Sequence, residues 1–238
     1  MTMEHEVGHV QRMTAAQDNL ERYGAALVSW LVPASVRYAV AAEAIHLAER
    51  CGARRDLAFA ETGFTPRRMR NVRRSQIAAS GVAIREAYES PELTAVVAAV
   101  AGQSVYSCPY EPEQFVVTQL ARPGDTHGWH WDDYSFALVW VAECPNPLDG
   151  GFVECVPGTV WDKRRPGIEQ VLRDRAVHRL EAGPGQVYLM RASTTLHQVH
   201  PIRRGRRTIV NMAFASEDEL CRPVSHETMD ALWSGPGH

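Results

Sequence analysis

Between His127 and Asp133 the chain reads His-Gly-Trp-His-Trp-Asp-Asp, placing two imidazoles and two carboxylates in one short segment. In an extended strand residues i and i+2 share a face, so His130 and Asp132 project together. A third ligand must come from a distant strand, and His197 in Leu196-His197-Gln198-Val199-His200-Pro201 supplies it. Two histidines and one carboxylate form a facial triad with open coordination positions, the arrangement of non-haem Fe(II) oxygenases. Open positions are what a bidentate oxo acid and dioxygen (O2) bound to Fe(II) require.

Other pairings within these segments are weaker. His127 and Asp133 stand too far apart to share a metal from a regular strand, and neither forms a His-x-Asp pair. His200 competes with His197 but is followed directly by Pro201, and His178 has no ligand-like neighbours. Beyond His197, Arg207 follows the Arg204-Gly205 turn at the start of a strand candidate, where a guanidinium can grip a carboxylate bidentately. The pattern His-x-Val-x-Pro-x-x-x-Gly-x-Arg, met at His197, Val199, Pro201, Gly205 and Arg207, resembles jelly-roll oxygenases. There the arginine holds the distal carboxylate of 2-oxoglutarate.

The elements that must position these groups change in texture along the chain. Thr14 to Cys51 is rich in Ala, Leu and Glu with apolar residues every three or four, which predicts two helices interrupted at Pro33. Gly52 to Arg74 is polar and reads as a connector over the surface or into a site. Ile84 to Ala101 reads as helix, broken or restarted at Ser90-Pro91. After Gly102 come short runs rich in Val, Phe, Tyr and Thr, at Gln114–Leu120, Ser135–Glu143, Gln186–Met190 and Thr208–Phe214, separated by turn signals. This predicts a mostly β chain with flanking helices, an α+β fold with a double-stranded β-helix (jelly roll, cupin-like) core. No firm boundary is visible. One domain over 1–238 is expected, with helical support over about 1–100, the jelly-roll core over about 102–216 and a tail from 217.

Composition excludes several classes. At 238 residues and 45% hydrophobic the chain can bury a good core. A net charge of −3 without long like-charge blocks speaks against nucleic acid or an anionic membrane as partner. The start, MTMEHEVGHVQRM, lacks the apolar core of a secretory signal, and five cysteines without CxxC spacing fit reduced thiols, so a cytoplasmic enzyme is expected.

Several stretches resemble the radical amino-acid halogenases that chlorinate free lysine and related amino acids. They are Thr65-Pro66-Arg67, Cys108 to Glu113, Gly124 to Trp131, Asp133 to Leu138 and Gly150 to Pro157. Those halogenases carry glycine where this chain has Asp132, and chloride takes the vacated site. The resemblance therefore implies a hydroxylase sibling that converts O2, 2-oxoglutarate and a small-molecule substrate into succinate, CO2 and a hydroxylated free amino acid. By the same resemblance Arg67 and His127 grip the substrate carboxylate and Asp133 faces its α-ammonium. Glu113 and Asn211 receive a side-chain ammonium, which implies a basic amino acid such as lysine or ornithine. The threonine expected two residues after Asn211 is Ala213, which leaves chain length open. Trp233 either closes the site or anchors the tail. Alternative readings are the same chemistry on a carrier-tethered or other small metabolite, or a non-catalytic cupin-like metal-binding module.

Overall fold

Each apolar run after residue 102 becomes a strand, because its two faces meet two different apolar or polar surfaces. The computed structural model describes residues 3–234. Its first part runs α1 (Met3–Tyr23), β1 (Ala25–Leu27), α2 (Ala34–Cys51), β2 (Ala53–Ala58), β3 (Pro66–Val72), α3 (Arg74–Ser80), α4 (Ala83–Glu89) and α5 (Pro91–Ala101). Then follow β4 (Tyr106–Ser107), β5 (Phe115–Leu120), β6 (Thr126–His130), β7 (Phe136–Glu143), β8 (Val153–Pro157), α6 (Ile168–Asp174) and β9 (His178–Leu180). The chain closes with β10 (Val187–Met190), β11 (Thr195–Val199), β12 (Arg207–Ala215), α7 (Glu217–Cys221) and α8 (Glu227–Trp233).

The strands pair antiparallel in the order β1-β10-β7-β12-β5-β3-β6-β11-β8-β9, with β2 added to β3 and β4 to β12, and curl into a nearly closed barrel. β3 joins the two halves of the barrel: Arg70–Val72 pair with β5, whereas Arg67 and Arg68 pair with β6. The period of two assigns the faces. Val210, Met212 and Phe214 of β12 pack with Leu138 and Trp140 of β7 against Val40, Ala44 and Leu47 of α2. The alternate residues Ile209 and Asn211 face the interior cavity. Truncating a fully buried member such as Leu138 to alanine costs about 2–5 kcal/mol.

Helix ends are satisfied locally. Ser90 Oγ accepts from Leu93 N at the start of α5, with Pro91 in the first turn. The Glu43 carboxylate of α2 accepts from the backbone N–H groups of Val82, Ala83 and Ile84 at 2.7, 2.8 and 3.0 Å, which fills orphan donors of α4. None of the described helices is long and apolar enough to cross a membrane.

Two segments differ from the sequence expectation. The predicted pair of helices before Cys51 is separated by β1, because Gly24 (φ 75°) ends α1 and Ala25–Leu27 then pair with β10. The polar stretch Gly52 to Arg74 is a β2–β3 hairpin leading into α3, not a connector. Its strands are hidden in sequence because Arg67, Met69 and Asn71 face a polar cavity, so the inward positions are not uniformly apolar.

Candidate metal and anion site

At the open end of the barrel, His130 closes β6 and lies directly across from His197 of β11. Asp132, just past the strand, is fixed by its backbone N–H donating to Ala192 O at 3.2 Å. Its Oδ1 lies 3.5 Å from His130 Nε2 and 3.7 Å from His197 Nε2. Both rings have their other nitrogen engaged: His130 Nδ1 is 2.6 Å from Gly128 O, and His197 Nδ1 is 2.8 Å from Thr195 O. A carbonyl can only accept, so Nδ1 carries the proton and Nε2 presents its lone pair. Burial pushes the His130 imidazole well below its usual range, so it stays neutral, as a ligand must. This donor set fits a divalent transition metal bound on one face, with open positions toward the cavity.

The backbone of β6 is irregular at the motif. His197 pairs with His130 and Val199 with His127, so β6 advances three residues where β11 advances two. That extra residue is a bulge, and it turns His127 to the side of His130, where the rings stack with centroids 3.6 Å apart. Regular-strand parity, which sets His127 apart from His130, does not hold here. Gly128 is required within the bulge, since a Cβ there would come 2.8 Å from Pro66 O and 2.9 Å from Thr65 Cβ. Thr65 Oγ1 donates to Trp129 O at 2.6 Å and locks the same turn.

The cavity holds two buried cations. Arg67, the cross-strand partner of His127, and Arg207 are almost fully buried, and neither has an ion-pair partner among the described residues. Arg67 Nε and Arg207 Nε make no hydrogen bond, and Arg207 Nη2 lies 3.4 Å from the Tyr188 hydroxyl. Burial pulls the Arg67 guanidinium down to about 10, which still leaves it charged at neutral pH. Buried cations without ion-pair partners fit two anionic groups, one near Arg207 and one near Arg67 with His127. His127 Nε2 is likewise buried and unpaired.

The same cavity holds buried acidic groups. Glu113 is 5% exposed, its Oε2 is unpaired, and burial pushes its carboxyl well above the ordinary range, reinforced by Asp133. Asn211 Oδ1 is also buried without a partner. Asp133 is buried but engaged, with Lys163 Nζ 2.7 Å from Oδ1. Glu113, Asp133 and His226 form a second three-donor group, but the Lys163 ammonium already provides its cation.

Of the residues singled out from sequence, Arg67, Glu113, His127, His130, Asp132, Asp133, His197, Arg207 and Asn211 all line this cavity. Trp233 does not. Its ring lies under the guanidinium groups of Arg55 and Arg73, and Thr228, Met229 and Leu232 of the same helix face the cavity instead. Sequence reasoning missed Tyr188, Lys163 and this helix face. Tyr188 had a signal, because it alternates with Met190 on the inward face of β10. Lys163 had none, since it sits in the irregular segment between β8 and α6.

The chain matches the halogenase D family over residues 9–234. A comparison with curated proteins gives no match. Among solved structures, AviO1 from Streptomyces viridochromogenes Tue57 superposes with a TM-score of 0.67 at 18% identity, covering 90% of this chain and 98% of that one. The epimerase SnoN, in complex with Fe3+, alpha ketoglutarate and nogalamycin RO, gives 0.64 at 16%, covering 96% and 93%. A Pseudomonas putida prolyl-4-hydroxylase gives 0.55 at 16%, covering 86% and 99%. At these identities the likeness is one of fold, the jelly-roll core shared with 2-oxoglutarate-Fe(II) oxygenases.

Proposed function

The chain belongs to the halogenase D family, and from that premise we propose that it is a 2-oxoglutarate-dependent non-haem iron dioxygenase, a hydroxylase. Its substrate is a free amino acid, with a basic side chain such as that of lysine or ornithine preferred, and its target an unactivated C–H. The observation that carries this reading is Asp132, whose carboxylate stands within 3.7 Å of both histidine Nε2 atoms. In the halogenases that the sequence resembles, that position is a glycine and admits chloride. A carboxylate there closes the halide position.

His130, Asp132 and His197 would hold the iron, which when bound supplies the oxidising chemistry with O2 and 2-oxoglutarate. Arg207 would take the distal carboxylate of the oxo acid, which explains a buried guanidinium without a protein anion. Arg67 and His127 would take the substrate carboxylate, while Glu113 and Asn211 would receive the side-chain ammonium. Asp133 would face the α-ammonium. A carboxylate offers about four acceptor positions, so Asp133 can serve this cation while bound to Lys163. The dipolar cavity fits a zwitterion with an added positive charge better than a neutral metabolite.

The direct test incubates the protein with Fe(II), 2-oxoglutarate, ascorbate and each free proteinogenic amino acid plus ornithine, and reads the gain of one oxygen by mass spectrometry. Product from a basic amino acid is the expected result. If Glu113→Ala leaves turnover of the true substrate untouched, the basic amino-acid reading fails. D132G should lower hydroxylation beyond the roughly 10–100-fold typical for loss of an outer-shell partner. It should also yield some chlorinated product in chloride. Full hydroxylation by D132G would remove Asp132 from the ligand set.

A further inference from the structure

The cavity is roofed by α8, a helix of seven residues, too short to be helical in water without docking. Met229 and Leu232 give it an apolar seat on Met69, Leu120, Val199 and Ile202. The residues at its start are held by polar groups as well. Lys163 Nζ reaches Ser225 Oγ at 3.0 Å, the Ser225 carbonyl, and Glu227 Oε2 at 3.2 Å, while its fourth partner is buried Asp133 at 2.7 Å. Beside it, His226 stacks on Tyr110 with centroids 3.7 Å apart, and its Nδ1 lies 3.8 Å from Asp133 Oδ2.

Lys163 itself stands on a rigid base. Trp161, two residues earlier, donates from Nε1 to Glu61 O at 2.7 Å and stacks on Trp131, and the Lys163 ammonium lies 4.5 Å above the Trp161 ring. Trp131 separates His130 from Asp132 and is fixed by Nε1 donating to Thr159 Oγ1 at 2.8 Å. The segment carrying Lys163 is therefore braced against the same residues that set the metal motif.

Resting on the amino-acid reading above, we propose that Lys163 is a positioning residue for substrate binding. Its ammonium latches α8 down as the roof of the cavity and holds the Asp133 carboxylate in place for a second cation. Lys163 does not touch the reacting atoms. It acts through Asp133 on one side and through Thr228, Met229 and Leu232 on the other.

The test compares wild type, K163M and K163R. Hydrogen exchange of the 222–234 segment in the metal-free protein should quicken by about tenfold or more in K163M and return toward wild type in K163R. With Fe(II) and 2-oxoglutarate, K163M should raise KM for the amino acid by about tenfold while kcat stays within about twofold. Affinity for 2-oxoglutarate, which Arg207 would hold, should be unchanged. Unchanged exchange in K163M overturns the latch. A lower KM in K163M also overturns it, because Lys163 would then be competing with the substrate for Asp133. Faster exchange restored by K163R, with no turnover of any amino acid by wild type, keeps the latch and removes the substrate reading.

Discussion

Asp132 and Glu113 are carboxylates of one cavity in opposite surroundings. Asp132 faces two imidazoles whose Nε2 atoms point at the same place, an arrangement that suits a cation between them. Glu113 faces neighbouring carboxylates and has an unpaired oxygen, and burial raises its pKa from the ordinary 4.5. Below that value the folded and unfolded states both hold the proton, and nothing is lost. As pH rises, the unfolded chain releases its proton first, so the folded state is destabilised until its own raised pKa is passed. E113Q removes this charge at nearly constant shape. Metal-free E113Q should match wild type near pH 4 and exceed it near pH 8, a difference that thermal melts across pH would measure. Equal stability at both pH values would mean that the carboxylate is neutralised within the protein. The same variant should bind a basic amino acid more weakly, the usual opposition between stability and function at a site.

At the scale of elements, β6 decides which side chains meet. A regular strand would send His127 and His130 to opposite faces, since three is an odd step. The bulge restores the match, and it exists because Gly128 can lie against Pro66 and Thr65 of the β2–β3 hairpin. G128A should cost about 1–3 kcal/mol from this overpacking, seen as a fall of several degrees in Tm. It should also weaken metal binding, because His130 Nδ1 is held by the Gly128 carbonyl. An unchanged Tm and metal affinity would show that the strand accommodates the methyl by shifting. The hairpin also settles the register of the arginines: along β3, Arg67 points inward while Arg68 points out. Its polar composition concealed both strands in the sequence, whereas the apolar runs of β5, β7, β10 and β12 were visible because at least one face of each packs on apolar side chains.

Across the whole molecule, the helices load one face of the barrel and leave the other end for a dipolar cavity. Two buried arginines without ion-pair partners are a standing cost to the ligand-free fold. Ligand binding should therefore register strongly as stability. With a redox-inert divalent metal such as Zn(II) present, 2-oxoglutarate at 100 times its Kd should add about 2.7 kcal/mol, read as a rise in Tm. R207M should abolish the 2-oxoglutarate part of that rise while keeping the part due to metal. R207M without ligands should melt no lower than wild type, since it deletes an uncompensated charge. A full 2-oxoglutarate response in R207M would assign the oxo acid to another cation.

The sequence by itself determined the donor types, their offsets along the chain and the run of strands that carries them. These depend on local spacing: His-x-Asp at a strand end, a later histidine, then Gly-x-Arg after a turn. It also placed Arg67, Glu113, His127, Asp133 and Asn211 around that centre through resemblance. Only the tertiary structure decided what depends on contacts distant in sequence. It paired His130 with His197, opened the β6 bulge against Pro66 and turned Trp233 away from the cavity toward Arg55 and Arg73. It also brought Lys163 onto Asp133 beneath α8. A side chain in an irregular segment has no periodicity to report its direction, so its partner is fixed only when the barrel closes.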